Sequence, residues 1–167
     1  MAAAGFGLRE LIDAHYEMLY RYAYRLSGNA ADAEDLVQEA FGKAMLRMDQ
    51  LRDPASVKPW LFRILRNLYL HRVRDDKRRR VVPLDSAGEL PARDSDGVLP
   101  IDPKELQAAL DDLEEAFRTP LILFYFEGFS YRDIAEQLDL PIGTVMSRLA
   151  RAKTYLRTRL SSGEGER

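Results

Sequence analysis

The apolar residues of this 167-residue chain recur every three or four positions through most of its length. Residues at that spacing share one face of an α-helix, so the pattern predicts a series of amphipathic helices. The apolar run at 121–126 has the length of a strand, but Gly128 follows it as a helix stop signal, and we predict a helix there too. The sequence therefore predicts an all-α fold.

Helix start and stop signals divide the first part of the chain into three predicted helices. The first ends at Ser27-Gly28, and Asn29 can cap the second. Asp53-Pro54 separates the second helix from the third, which Ser56 can cap. We predict one small helical domain over residues 8–80. The three apolar stripes comprise Leu8, Leu11, Ile12, His15, Leu19, Tyr22, Ala23 and Leu26; Ala33, Leu36, Val37, Ala40, Phe41, Ala44, Met45 and Met48; and Leu61, Ile64, Leu65 and Leu68.

A predicted linker follows this domain. Prolines and glycines punctuate residues 83–101 and no helical period survives there, so we predict a flexible acidic linker over residues 81–102. Asp102-Pro103 then restarts helical structure, with an aspartate at the N-cap and a proline at the first helical position. We predict a second helical domain over residues 103–160.

The second predicted domain ends in a helix-turn-helix pattern. Ser130 and Asp133 form a capping-box signal at the start of a short helix. Asp139-Leu140-Pro141 then turns the chain, and a longer helix follows with an apolar seam at Val145 and Leu149. Two helices joined by a tight turn, the second with a basic outer face, are typical of DNA-binding domains.

Charge is strongly segregated along the chain, although the formal net charge is only −2. Residues 58–80 contain nine basic and two acidic side chains, and residues 143–160 contain five basic side chains and no acidic one. Between these segments, residues 85–118 contain ten acidic and three basic side chains. Two basic patches that flank an acidic middle predict two separate contacts with nucleic acid.

Several function classes lack the residues that they require. The chain has no cysteine and only two histidines, far apart in sequence, which argues against metal sites and thiol chemistry. No phosphate-loop or HExxH pattern is present, so we expect neither an enzyme nor a bound cofactor. No apolar run approaches the ~18 residues of a membrane span, and no signal peptide is recognisable. We expect a cytoplasmic protein that does not insert into membranes.

Two motifs resemble the extracytoplasmic-function (ECF) family of RNA polymerase sigma factors. The first is Asp32-Ala33-Glu34-Asp35-Leu36-Val37-Gln38-Glu39-Ala40-Phe41 with Trp60-Leu61-Phe62-Arg63-Ile64-Leu65-Arg66-Asn67, which is similar to the sigma-2 domain. The second is Gly128-Phe129-Ser130-Tyr131-Arg132-Asp133-Ile134-Ala135 with Pro141-Ile142-Gly143-Thr144-Val145-Met146-Ser147-Arg148-Leu149, which is similar to the sigma-4 helix-turn-helix domain. The resemblance implies a protein that binds core RNA polymerase and directs it to promoters.

The resemblance also implies partners and site residues. The partners are core polymerase, through the coiled coil of its largest subunit and its flap region, promoter DNA, and an anti-sigma factor. The implied polymerase-binding residues are Asp35, Leu36, Gln38 and Glu39. The implied residues for the minus-10 element are Trp60, Arg63, Arg66, Asn67 and Arg74. The implied residues for the minus-35 element are Thr144, Met146, Ser147, Arg148, Ala150, Arg151 and Lys153.

Other interpretations of these residues remain open at the level of sequence. The acidic helix face could be an ordinary solvated surface, because charged outer faces are the norm on amphipathic helices. Trp60 could serve equally as core filling. Met146 stands where many relatives carry a basic residue, which suggests apolar contact with a thymine methyl group. The main alternative for the whole chain is a stand-alone helix-turn-helix regulator whose first domain senses a ligand or dimerises.

Overall fold

The computed structural model describes residues 7–79 and 102–162, and every regular element within these two ranges is helical. The chain divides into two compact units, Met1–Glu89 and Leu90–Arg167. The first unit contains α1 (Leu8–Ser27), α2 (Ala30–Leu46) and α3 (Val57–Arg79), with short 3-10 turns at Met48–Gln50 and Pro54–Ser56. The second contains α4 (Pro103–Asp112), α5 (Glu115–Tyr125), α6 (Tyr131–Leu138) and α7 (Ile142–Ser162).

Local signals set the helix ends of the first unit. The helix α1 ends where Gly28 adopts φ 80°, a left-handed conformation that glycine tolerates best. The Asn29 side chain then accepts a hydrogen bond of 2.8 Å from the Asp32 amide and caps α2. Asp53 accepts a hydrogen bond from the Ala55 amide in the turn that precedes α3. The predicted breaks at Gly28 and at Asp53-Pro54 are confirmed.

The three helices of the first unit share one apolar core. All three pack against one another, with α2 contacting both α1 and α3. The fully buried rings of Tyr22 and Phe62 join α1 to α3, with a centroid separation of 4.5 Å. The predicted stripes supply much of this core, so most of their apolar side chains are removed from water, which is the main favourable term in folding. The buried members include Leu11, Leu19, Leu26, Ala33, Val37, Ala40, Leu61, Leu65 and Leu68.

The second unit forms around α7, which packs against α4, α5 and α6. Val145, Leu149 and Ala152 of α7 are buried, as the predicted seam requires. The apolar run at 121–126 is helical through Tyr125, so the helix prediction there is confirmed. The helical structure predicted to restart after Asp102 is divided between two helices, because the chain leaves helical geometry at Leu113 and a new helix begins at Glu115.

The all-α prediction is confirmed over the described ranges. The predicted linker lies outside them, apart from Asp102, which caps α4 by accepting a hydrogen bond of 2.9 Å from the Lys104 amide. No helix in either described range is both long and apolar enough to cross a membrane.

Candidate functional site

The outward face of α2 carries three of the four predicted polymerase-binding residues. Asp35, Gln38 and Glu39 are exposed, whereas Ala33 and Val37 on the opposite face are buried. Leu36 is only 1% exposed and packs in the core of the first unit. The structure therefore does not place the Leu36 side chain on the predicted docking face, because its position in the helix turns it towards the apolar side.

A shallow apolar groove runs beside this face, between α1 and α2. Gln38 contributes to its lining, so the groove is continuous with the charged face of α2. Tyr16 and Met45 are 38% and 51% exposed at its surface. The sequence pattern assigned Met45 to the buried stripe, and this was wrong, because the side chain lies in the last turn of α2, where it faces the groove. The lining residues are Leu8, Ile12, Tyr16, Gln38, Phe41, Gly42 and Met45.

One residue of the α2 face has a partner within the protein. The Arg72 Nη2 atom of α3 donates a hydrogen bond of 2.9 Å to Oε2 of Glu39, and the pair also forms a salt bridge. The side chains are 34% and 48% exposed respectively, so water still reaches both charges. This pair joins α2 to α3 through residues that are 33 positions apart in the chain. The sequence pattern did not predict it.

The solvent face of α3 presents the predicted minus-10 residues. Arg63, Asn67 and Arg74 are exposed, and their spacing of four and seven places them along one side of the helix. Arg66 and Trp60 are half-buried. This intermediate burial of Trp60 is compatible with both interpretations left open by the sequence, core filling and contact with DNA.

The helix-turn-helix is built by α6 and α7. Ser130 accepts a hydrogen bond of 3.1 Å from the Asp133 amide, and the Asp133 carboxylate accepts one from the Ser130 amide, so the predicted capping box is confirmed. Asp139 then takes a left-handed conformation with φ 55° and ψ 51°, which reverses the chain before α7. The turn fixes the direction in which α7 leaves α6.

The outer face of α7 carries most of the predicted minus-35 residues. Met146, Ser147, Ala150, Arg151 and Lys153 are exposed. Thr144 and Arg148 are half-buried, because both lie nearer to the seam that packs on the rest of the unit. The Ser147 hydroxyl donates a hydrogen bond of 3.1 Å to the Thr144 carbonyl, which folds it back on its own helix.

Arg151 and Arg159 contact other helices of the second unit. The Arg151 guanidinium lies over the ring of Phe117 in α5, 5.4 Å from its centroid. An exposed cation–π contact of this kind contributes about 0.5–1 kcal/mol. Further along α7, Arg159 donates two hydrogen bonds to the Asp112 carboxylate at the end of α4, and this carboxylate raises the pKa of Arg159. These two contacts therefore anchor α7 to both α4 and α5.

Each unit matches a known sigma-factor family. Residues 11–79 match Sigma-70 region 2, and residues 104–156 match Sigma-70, region 4. The two matched ranges correspond closely to the two groups of helices and contain nearly all of the exposed charged faces described above. Their order along the chain is region 2 and then region 4.

Curated sigma factors are similar to this chain over most of its length. The chain is 41% identical over 165 residues to the ECF RNA polymerase sigma factor SigE of Mycolicibacterium smegmatis, which covers 94% of this chain and 63% of that protein. It is 31% identical over 163 residues to the ECF RNA polymerase sigma factor SigW of Bacillus subtilis, covering 90% of this chain and 87% of that protein.

A solved structure gives the same result at the level of the fold. The sigma factor RpoE of Bartonella quintana, crystallised in complex with the anti-sigma factor NepR, aligns with a TM-score of 0.79 and 32% identity. The alignment covers 92% of this chain and 96% of that one. Two family matches in the expected order, relatives aligned over most of their length and a shared fold lead to one conclusion: the chain belongs to the ECF family of RNA polymerase sigma factors.

Proposed function

We propose that this sigma factor docks on core RNA polymerase through the face of α2 and recognises promoters through α3 and α7. The observation that carries the proposal is the presence of an exposed, chemically distinct face on each of these helices within the two sigma-70 regions. A sigma factor is an initiation factor and catalyses no reaction itself, so the chain is not an enzyme.

The polymerase-docking surface consists of two adjoining parts. The charged part is formed by Asp35 and Glu39, and charge complementarity at such a site fixes register and speeds association. The apolar part is the groove between α1 and α2, where exposed side chains such as Tyr16 and Met45 can be covered on binding. Gln38 belongs to both parts. The occupant is the coiled coil of the largest polymerase subunit, while the second unit contacts the flap region.

The promoter's minus-10 element is read by α3. Arg63 and Arg74 are positioned to neutralise phosphates, and Asn67 between them can hydrogen-bond a base that has left the stack. Extruding a base costs a few kcal/mol, which bonding and stacking in the site must offset. The half-buried Trp60 can supply stacking, and Arg66 further positive charge, near the first turns of the same helix.

The helix α7 recognises the minus-35 element as double-stranded DNA, whose strands stay paired. A helix-turn-helix places the exposed side chains of its second helix in the major groove. Arg151 can grip guanine with two hydrogen bonds, and this contact discriminates by about 1–3 kcal/mol, more than the contact with Phe117 that it would replace. Met146 is suited to a thymine methyl group, with Ser147, Ala150 and Thr144 lining the remaining surface and Arg148 and Lys153 contacting phosphates.

The functional domains are residues 8–80 and 103–160, joined by an acidic linker over 81–102, and the protein acts in the cytoplasm. An anti-sigma factor is the expected regulator, because the similar Bartonella quintana protein was solved with one bound. Such a partner would hold the two domains away from polymerase or promoter.

Reconstituted transcription tests the proposal. The full chain, core polymerase and a set of genomic promoter fragments are combined, and transcripts that neither component gives alone are the expected result. A stand-alone regulator would bind its site tightly without polymerase and would give no such transcripts. The region 2 match over residues 11–79 already disfavours that alternative, which assigns the first domain to ligand sensing or dimerisation.

A further inference from the structure

The ion pair between Glu39 and Arg72 connects the proposed polymerase-docking face of α2 to α3, the helix proposed to recognise the minus-10 element. Glu39 lies on the docking face of α2, and Arg72 belongs to α3, the helix that carries the minus-10 residues. The pair is direct, with 2.9 Å between Arg72 Nη2 and Glu39 Oε2. Glu39 therefore contacts the promoter-reading helix as well as facing the polymerase.

Arg72 lies one helical turn beyond the buried apolar stripe of α3. Leu61, Leu65 and Leu68 form the buried stripe of α3 that packs on the rest of the unit, and Arg72 continues this stripe by one turn. From Leu70 to Asp75 no side chain is buried. The pair thus adds a polar contact between α3 and α2 in a segment where no side chain is fully buried.

The opposite side of the same segment carries Arg74. At about 100° per residue, Arg72 and Arg74 lie about 200° apart around the helix axis. Arg74 is exposed on the side that also bears Asn67 and Arg63. Holding Arg72 against α2 therefore orients Arg74 away from α2 and towards the surface proposed for DNA.

We propose that Arg72 is a positioning residue for minus-10 recognition, which acts by fixing the C-terminal half of α3 to α2 through Glu39. This inference rests on the proposed function and extends it, because it gives Glu39 a second role beside polymerase docking. It also predicts that the two surfaces are linked, so that loss of either partner of the ion pair affects promoter opening in the same way.

The effect is expected to be modest and sensitive to salt. An exposed ion pair stabilises by a small amount, which corresponds to roughly a two- to fivefold change in an equilibrium. We expect Arg72→Gln to reduce promoter opening by that factor at low salt and by less at high salt, where the charges are screened. Core polymerase affinity should be unchanged in this variant, because Arg72 itself is not part of the proposed docking surface.

A double-mutant cycle on the reconstituted holoenzyme tests the inference. Promoter opening is measured with permanganate at saturating core polymerase for Arg72→Gln, Glu39→Gln and the double variant, and core affinity is titrated separately. Glu34→Gln is the matched control, since it removes one negative charge from an exposed position of α2 outside the pair. The charge exchange Glu39→Arg with Arg72→Glu should recover part of the lost opening.

The expected result is that the two single substitutions reduce opening equally and do not add in the double variant, while the control is unaffected. Normal opening with Arg72→Gln, fully additive losses, or no recovery on charge exchange would each overturn the inference. Loss of the proposed function itself would look different, because the unmodified chain would then give no promoter-dependent transcript with core polymerase. Thermal melting of each variant identifies a loss that arises from unfolding, and opening is compared below the lowest transition.

Discussion

Asp35 and Glu39 carry the same charge on the same face of α2 but differ in their surroundings. Glu39 is paired with Arg72, which offsets part of its charge. Asp35 is exposed, and no ion pair at this residue is among those found in the described part of the first unit. At this scale Asp35 is the better candidate for direct electrostatic contact with polymerase, because its carboxylate is open to a cationic partner.

Reversing the charge of Asp35 tests that difference. We expect Asp35→Lys to weaken core polymerase binding roughly tenfold, because the reversal removes the charge complementarity proposed for this docking face. A pull-down or fluorescence titration measures the affinity, circular dichroism checks that helicity is kept, and Glu34→Lys serves as a control on the same helix. Unchanged core binding by a folded double variant, reversed at both Asp35 and Glu39, would remove the α2 face from the docking surface.

Arg151 is a second case in which a single contact matters. Its guanidinium lies over the ring of Phe117. Breaking this cation–π contact costs only about 0.5–1 kcal/mol. We expect Arg151→Ala to weaken binding to the minus-35 element by about 1–3 kcal/mol and to relax selectivity at one base pair. Footprinting of the holoenzyme on promoters with single changes measures both effects. An equal loss on every sequence would instead identify Arg151 as a phosphate contact.

The helix-turn-helix depends, at the scale of elements, on two local features of α6. The capping box at Ser130 satisfies amides that the first turn would otherwise leave without a partner. At the other end Asp139 holds a left-handed backbone, which favours glycine and is tolerated by aspartate. Both features set the angle between α6 and α7. They therefore also set the direction in which the outer face of α7 points.

Substitutions at Ser130 and Asp139 should differ in their effect on the stability of the second unit. We expect Ser130→Ala to destabilise the second unit by about 1 kcal/mol through loss of the cap. Asp139→Gly should be neutral or stabilising, by up to about 1 kcal/mol, because glycine adopts the same conformation without strain. Denaturant unfolding of the full chain measures both changes. Marked destabilisation by Asp139→Gly would mean that the aspartate side chain, rather than the backbone turn, stabilises this corner.

At the scale of the whole molecule, two basic surfaces belong to a chain of net charge −2. The acidic side chains between residues 85 and 118 can compete with DNA phosphates for these surfaces. We expect the free protein to bind promoter DNA weakly and with steep salt dependence, and the holoenzyme to bind it much more tightly. Fluorescence anisotropy over a series of salt concentrations measures this. Nanomolar, site-specific binding by the isolated chain at physiological salt would contradict the expectation.

The two-unit organisation predicts independent defects in the two promoter contacts. Asn67 belongs to the first unit and Arg151 to the second, and each is proposed to read a different promoter element. We expect Asn67→Ala to impair opening of the minus-10 element, while binding of the upstream duplex is largely kept. The two substitutions should be additive within about 0.3–0.5 kcal/mol. Permanganate reactivity of unpaired thymines measures promoter opening. If Asn67→Ala opens the promoter normally while Arg151→Ala loses only promoter opening, the assigned roles of the two units are wrong.

Sequence alone determined the helical class, most helix ends and the identity of the exposed faces. This was possible because helix periodicity and caps are local: Gly28, Asn29, Ser130 and Asp133 act within a few residues of themselves. The two motifs were also sufficient to predict the family, since each consists of two short contiguous segments of the chain, and the family matches confirm it.

Tertiary structure decided the features that depend on residues far apart in the chain. Met45 was assigned to the core from its spacing, but whether a helix face is covered depends on where its neighbours end, and at the last turn of α2 the groove is open. The pairing of Glu39 with Arg72 joins positions 33 residues apart, and Arg151 meets Phe117 only because α7 crosses α5. Periodicity specifies which side of a helix is apolar, but it carries no information about which charged side chains of two helices come within hydrogen-bonding distance.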